Sequence, residues 1–250
     1  MEKVLGLLPV FTYVAFLIAE RLAPARPLPA VRGWFWKGLL FFLAGGAIVG
    51  GLPGLWAGWV RSHRLVNLEG LGVVGGTLVG LVATDFVLYW FHRLRHRAPA
   101  LWRLHQMHHS AERLDTAGAF YFHPIETVLF AFVSTFGTGL LFGVHPLAAG
   151  LIGYFGFFIS VFTHANLRTP RWLGYVLQRP ESHAVHHQRG VHAFNYGALA
   201  LWDAVFGTFR NPATFVEETG FWQGASSKVG SMLVGADVTQ PRPVRDTAAA

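Results

Sequence analysis

Apolar residues gather in five long runs, at 4–19, 34–59, 71–91, 127–142 and 147–162, with too few polar side chains inside them to trace an amphipathic stripe. Runs of this length and uniformity predict helices apolar all round rather than surface helices or half-buried strands. Several are shorter than the roughly 20 residues a helix needs to cross a bilayer. The run at 34–59 is rich in glycine and broken at Pro53, and the run at 71–91 leads directly into a polar stretch dense in histidine. The last two are joined only by Gly143-Val144-His145-Pro146 and predict a tilted or partly re-entrant hairpin. Beyond the first run, Ala23-Pro24-Ala25 faintly resembles the cleavage site of a secretory signal. A resident membrane helix fits better, because the later runs need anchoring and leave little soluble chain to export.

Composition agrees with the pattern. Of 250 residues, 52% are hydrophobic and 13% charged, and the mean hydropathy is +0.39, too apolar for an ordinary soluble fold. The expectation is an all-α, multi-pass integral membrane bundle. The absence of cysteine excludes disulfides, thiolate metal sites and iron–sulfur clusters. A formal net charge of +7 raises nucleic acid as a partner, but the arginines lie beside apolar runs instead of on one soluble face, so no nucleic-acid partner is expected. Arg21, Arg26, Arg32 and Lys37 follow the first run. Arg93, Arg95, Arg97, Arg103 and Arg113 flank the histidine stretch, Arg168, Arg171, Arg179, Arg189 and Arg210 follow the last run, and the 143–146 turn has none. By the positive-inside rule the histidine-rich regions face the cytoplasm. Arg61-Ser62-His63-Arg64 is the exception, a short outer loop or an interfacial helix. This divides the chain into N-terminal membrane helices with an interfacial segment (1–70), a histidine-rich unit (71–210) and a C-terminal extension (211–250). The tail from about Thr239, with Pro241, Pro243 and three terminal alanines, is expected to be disordered.

Candidate chemistry lies in three clusters: His92-Arg93-Leu94-Arg95-His96, His105-Gln106-Met107-His108-His109 and His183-Ala184-Val185-His186-His187. Spacings of three and four residues put imidazoles on one helix face, one turn apart, aimed at a common centre. One such pair is unremarkable; three in a cysteine-free chain predict a metal site. His123, before Pro124, and His164, before Ala165-Asn166, return to the same side and are further candidate ligands, with a helix cap as the plainer reading for each. His63, His145 and His192 lack partners at helical spacing and are expected not to bind metal. Asp85 is a carboxylate inside an apolar run, seven residues before His92 on the same face. Such a group is costly in lipid and faces the bundle interior. It is expected to accept the N–H of a liganding imidazole. Asn166, Glu112, Glu126, Asn195 and Asp203 are candidates for similar supporting contacts, with less positional support.

Imidazole suits zinc, copper, iron and nickel alike. One zinc ion needs three or four protein ligands, whereas eight to ten histidines suffice for two metals. The Glu-x-x-His pattern of soluble two-iron bundles is absent, so an all-histidine dinuclear site is implied.

Taken in order, these residues resemble the fatty acid hydroxylase/sterol desaturase superfamily of membrane di-iron oxygenases. The resemblance runs from Asp85 through Tyr89-Trp90-Phe91-His92 and the first cluster, Leu101-Trp102-Arg103-Leu104 and the second, and His123-Pro124-Ile125-Glu126. It continues through His164-Ala165-Asn166, the third cluster, Asn195-Tyr196-Gly197 and Trp202-Asp203-Ala204-Val205-Phe206-Gly207-Thr208-Phe209. It implies a helical cap holding two iron ions, for which zinc can substitute, on the eight clustered histidines with His164 as a further ligand. The implied reaction is O2-dependent hydroxylation or desaturation of a lipid carbon, in a fatty acyl chain, sterol, carotenoid or related lipid. Two departures stand out: Ala193-Phe194 replaces an acidic residue the family often carries before Asn-Tyr/Phe-Gly, and Ala204 replaces an arginine after Trp-Asp. The His-Pro-Gly-Gly signature of a fused cytochrome b5 is missing, so electrons are expected from a separate donor such as cytochrome b5 or a ferredoxin with its reductase. Two other classes also join imidazoles to membrane helices. A histidine-lined divalent-metal transporter would carry its ligands mid-span, and a zinc-dependent membrane hydrolase would need fewer histidines and a carboxylate among them.

Overall fold

The computed structural model describes residues 2–241. The apolar runs become helices α1 (Glu2–Leu22), α2 (Trp34–Gly51), α4 (Gly72–Arg97), α6 (Pro124–Ser134) and α7 (Pro146–His164). Pro53 interrupts the second run: α2 passes into a 3-10 turn at Leu52–Leu55, and a short α3 (Ala57–Ser62) carries Arg61 and Ser62, with His63 as its C-cap and Arg64 beyond it. Three helical segments, Trp34–Leu55, Glu69–Arg97 and Pro146–His164, are long and apolar enough to cross a membrane, and Pro124–Ser134 is a shorter apolar helix. Large apolar side chains such as Phe11, Leu40, Leu43, Val74 and Leu78 point outward, while the buried set is rich in histidine, arginine and carboxylate. That inversion is what a lipid-facing bundle around a polar centre requires.

Helices α4 and α7 run side by side where α4 is smallest. Gly76 lies against Ala148 and Val144, and a Cβ on Gly80 would meet Ile152, so the four-residue glycine spacing lets the two backbones approach closely. Their carboxyl ends therefore emerge together, with His92 and His96 on one and His164 on the other. Helix α1 packs along α7 through a Thr12–Tyr154 hydrogen bond of 2.8 Å and edge contacts of Phe16 with Phe158 and Phe162. At its end, Glu20 accepts the backbone N–H groups of Thr116 and Asn166, which locks α1 to the histidine end of the bundle.

At the opposite end two short stretches vary the otherwise all-α fold. A π-helical stretch, Thr135–Leu140, follows α6, and Phe142–Gly143 (β2) pairs in parallel with Val66–Asn67 (β1). Two-residue strands carry no alternating pattern that sequence reading can detect.

The histidine end is capped by α5 (Pro99–His109), α8 (Pro180–His186), α9 (Ala200–Val205) and α10 (Val229–Leu233). Four helices of the bundle and cap begin with proline, at Pro99, Pro124, Pro146 and Pro180, whose fixed φ and missing N–H suit the first turn. The core of the cap joins Trp34, Met107, Tyr121, Phe221, Ala225, Met232 and Val238. The segment after residue 211 is thus packed onto α5, with Gln106 donating to the Ala236 carbonyl and accepting from the Val238 N–H. Thr239 still bonds Asp237; the rest of the expected disordered tail, from residue 242, lies outside the described residues.

Candidate metal centre

Nine histidines meet at the carboxyl ends of four helices, in two groups. His92, His96, His105, His109 and His186 form one; His108, His164, His183 and His187 form the other, and within each the candidate ligand nitrogens lie within 4.8 Å of one another. Helical spacing explains the pairs. His92/His96 and His105/His109 are four apart and share the first group, and His183/His187 share the second. The middle histidine of each His-x-x-His-His motif crosses over, His108 to the four-histidine group and His186 to the five-histidine group. The motif therefore straddles two centres instead of aiming at one. The helix ends add a favourable field, since aligned peptide dipoles place partial negative charge where cations would sit.

The hydrogen bonds decide which nitrogen faces inward. His92 Nδ1 donates to the Tyr196 carbonyl at 2.9 Å, His186 Nδ1 to the Phe194 carbonyl at 2.7 Å, and His105 Nδ1 bonds the Glu126 carboxylate at 2.6 Å. In the other group His164 Nδ1 donates to the Ser160 carbonyl at 2.7 Å. A carbonyl can only accept, so His92, His186 and His164 carry their proton on Nδ1 and present the Nε2 lone pair to the centre. Nε2 of His92 and of His186 is buried with no partner, and Nε2 of His105 lies 3.2 and 3.1 Å from those of His96 and His109. Inward-facing lone pairs repel unless they share a cation. The donor set is all nitrogen and fits first-row transition metals.

Burial comes first, and nearby positive groups second, in holding His105, His108, His109, His183 and His187 well below the ordinary histidine range. Burial brings His186 down to about 3. At neutral pH these rings are uncharged, as ligation requires.

Several expected roles change. His123 lies outside both groups: its Nδ1 accepts from the Ile125 N–H at 3.1 Å and caps α6, and its Nε2 donates to the Leu233 carbonyl at the end of α10, so both nitrogens are occupied by backbone groups. His145 caps α7 in the same way through the Leu147 N–H. Asp85 touches no imidazole; it accepts the backbone N–H groups of Ala198 and Leu199 at 2.7 and 3.0 Å. Asn166 is likewise no metal support, since its side-chain amide donates to the Arg26 carbonyl and ties down the loop after α1. Glu112 holds the C-terminal segment at Gly224 and Ser226. Glu126 is the carboxylate that orients a clustered imidazole, and Arg95 pairs with the same oxygen.

His192, expected to be uninvolved, sits with Nδ1 3.1 Å from Nδ1 of His109. Together with Phe194 and Asn195 it adopts positive φ, at 43°, 70° and 48°, a run of left-handed non-glycine residues that turns carbonyls toward the imidazoles. Such backbone carries no side-chain motif, which is why spacing arguments pass over it.

The sequence profile of the fatty acid hydroxylase family matches residues 77–208, which includes all nine of these histidines. The chain belongs to the fatty acid hydroxylase family. Among its relatives, ornithine lipid hydroxylase OlsE of Rhizobium tropici is 36% identical over 140 residues, 54% of this chain and 42% of that protein. Alkylglycerol monooxygenase of Homo sapiens is 32% identical over 134 residues, 52% and 29% of the two chains, and lathosterol oxidase of Mus musculus is 27% identical over 167 residues, 63% and 49%. The aligned part spans less than half the length of each relative. No solved structure matches the chain. The fatty acid hydroxylase match ends at 208, so the α10 segment that packs on α5 lies outside it.

Proposed function

We propose that this protein is a membrane-bound di-iron oxygenase that uses O2 and two electrons to hydroxylate or desaturate a lipid C–H bond. The observation that carries the reading is the convergence of nine neutral imidazoles, five and four, on two adjoining centres at one end of an apolar bundle. His92, His96, His105, His109 and His186 would hold one iron, and His108, His164, His183 and His187 the other; zinc can occupy the same nitrogen sites. Bound iron supplies O2 activation and C–H oxidation, with hydroxylation consuming two electrons and two protons and releasing one oxygen atom as water. The protein's part is to hold both ions, exclude water with apolar helices and admit the lipid from the bilayer. The names of the relatives, an ornithine lipid hydroxylase, an alkylglycerol monooxygenase and a lathosterol oxidase, support a lipid substrate. Electrons would come from a separate donor, cytochrome b5 or a ferredoxin with its reductase. The arginines around the cap support a cytoplasmic histidine end.

A transporter reading fits less well because the imidazoles gather at one end of the bundle and do not line a path through it. A zinc hydrolase reading fits less well because neither group contains a carboxylate among the described residues. The test is elemental analysis of iron-loaded protein with lipid analysis of a host that expresses it. Two irons per chain and an oxidised lipid are expected, both lost in His92→Ala, His108→Ala and His186→Ala and retained in His63→Ala. One metal or none would overturn the dinuclear assignment.

A further inference from the structure

We infer that Asp85 and Asp203 form a two-carboxylate clamp on the 196–199 backbone, and that this clamp positions the five-histidine group selectively. The inference rests on the dinuclear reading above. Asp203 accepts the N–H groups of Tyr196 and Gly197, both at 2.8 Å, and Asp85 accepts those of Ala198 and Leu199. Four consecutive backbone donors are thus taken by two buried carboxylates from helices α9 and α4. Thr208 adds its hydroxyl to Asp203. Gly197 is the residue that fits between them, since a Cβ there would lie 2.9 Å from the Leu199 carbonyl, 3.2 Å from Asp203 Oδ2 and 3.3 Å from Asp85 Oδ2.

What the clamp fixes is the outer side of one centre. The Tyr196 carbonyl takes His92 Nδ1, and the Phe194 carbonyl two residues earlier takes His186 Nδ1. The Tyr196 ring stands edge-on to His92, His96 and His186, with centroids 5.5, 5.2 and 5.5 Å away. Among the described residues no ring of the four-histidine group hydrogen-bonds to this segment; His164 Nδ1 meets the Ser160 carbonyl at 2.7 Å and the Thr163 hydroxyl at 3.4 Å, and Nδ1 of His108, His183 and His187 is buried without a hydrogen-bond partner. Carboxylates suit the task because each oxygen accepts from a separate N–H, whereas an asparagine would turn its NH2 toward one of those donors.

The experiment measures zinc content and zinc affinity, by elemental analysis and chelator competition, on full-length Asp203→Asn, Asp85→Asn and Gly197→Ala proteins in detergent. His63→Ala, outside both histidine groups, serves as a control, and the thermal midpoint is recorded for each. Wild type is expected to hold two zinc ions. The clamp variants are expected to keep one and to bind the second about ten- to a hundredfold more weakly, the usual cost of losing a group that orients a ligand. Two ions at unchanged affinity in Asp203→Asn and Gly197→Ala would overturn the clamp. Equal loss of both ions with a collapsed midpoint in all three variants would also overturn it, showing a fold-wide role. Fewer than two ions in wild type would instead overturn the dinuclear reading on which it rests.

Discussion

Glu126 and His123 lie three residues apart at the start of α6 and have separate tasks. His123 uses both nitrogens on backbone groups, so His123→Ala is expected to leave two metals bound and to cost about 1 kcal/mol of stability, the typical worth of a helix cap. Elemental analysis beside a denaturation curve checks both halves. Glu126 carries the opposite signature. Its oxygen receives His105 Nδ1 and the Arg95 guanidinium, so Glu126→Gln is expected to weaken metal binding about ten- to a hundredfold with the fold retained. Glu126→Ala strands Arg95, which is buried, and is expected to cost roughly 3–5 kcal/mol of stability as well. Unaltered metal affinity in Glu126→Gln would show that the contact with His105 is incidental. At this scale the sequence is informative about which histidines come together and poor about which carboxylate meets them. Imidazole spacing follows from one helix alone, whereas the partner of Asp85 is a backbone segment more than a hundred residues later and that of Glu126 sits on another helix.

Elements meet here through glycines, and the surroundings of each decide what a methyl group would cost. On α2, a Cβ at Gly38 would run into the Ala117 carbonyl, backbone of the turn that Trp34 and Tyr121 also pack against. Backbone cannot give way as a side chain can. At Gly46 on the same helix nothing lies within 4 Å. Gly38→Ala is therefore expected to cost about 1–3 kcal/mol or more, the range for overpacking, while Gly46→Ala is neutral or mildly stabilising. Thermal midpoints in one detergent decide it, and equal midpoints would mean that α2 shifts freely on the cap. Gly80 on α4 falls between them, since its neighbour is the far end of Ile152, a side chain that can rotate. The helices themselves were legible as apolar runs, and the break at Pro53 was legible too. The crossing of His108 and His186 between the two groups was not, because it depends on how α5 and α8 are turned relative to α4 and α7.

Across the whole molecule, the many buried neutral imidazoles tie stability to pH. Without metal, His186 titrates in the folded chain at about 3 and His192 at about 4, against 6.5 for a free side chain, with burial the main cause in both. His105, His108, His109, His183 and His187 are displaced in the same direction. Below pH 6.5 the unfolded chain gains protons that the folded chain refuses, so stability falls with pH across the window from about 6.5 down to about 3. Asp203 opposes this. Burial raises it from 3.8 to about 6, so between those values the folded chain takes up a proton that the unfolded chain does not. Burial raises Glu20 to about 7 and raises Glu126 as well, so both act in the same direction as Asp203, and these three carboxylates are outweighed by the seven histidines. Metal-free protein is therefore expected to melt several degrees lower at pH 5 than at pH 7.5, and bound metal, which competes with protons for the same nitrogens, should be released over the same range. Thermal scans of the chelator-treated and metal-loaded protein at both pH values measure the two effects together. A metal-free midpoint that stays level or rises at pH 5 would mean that the imidazoles already have solvent access in the absence of metal, and that burial by the cap depends on the ions it holds.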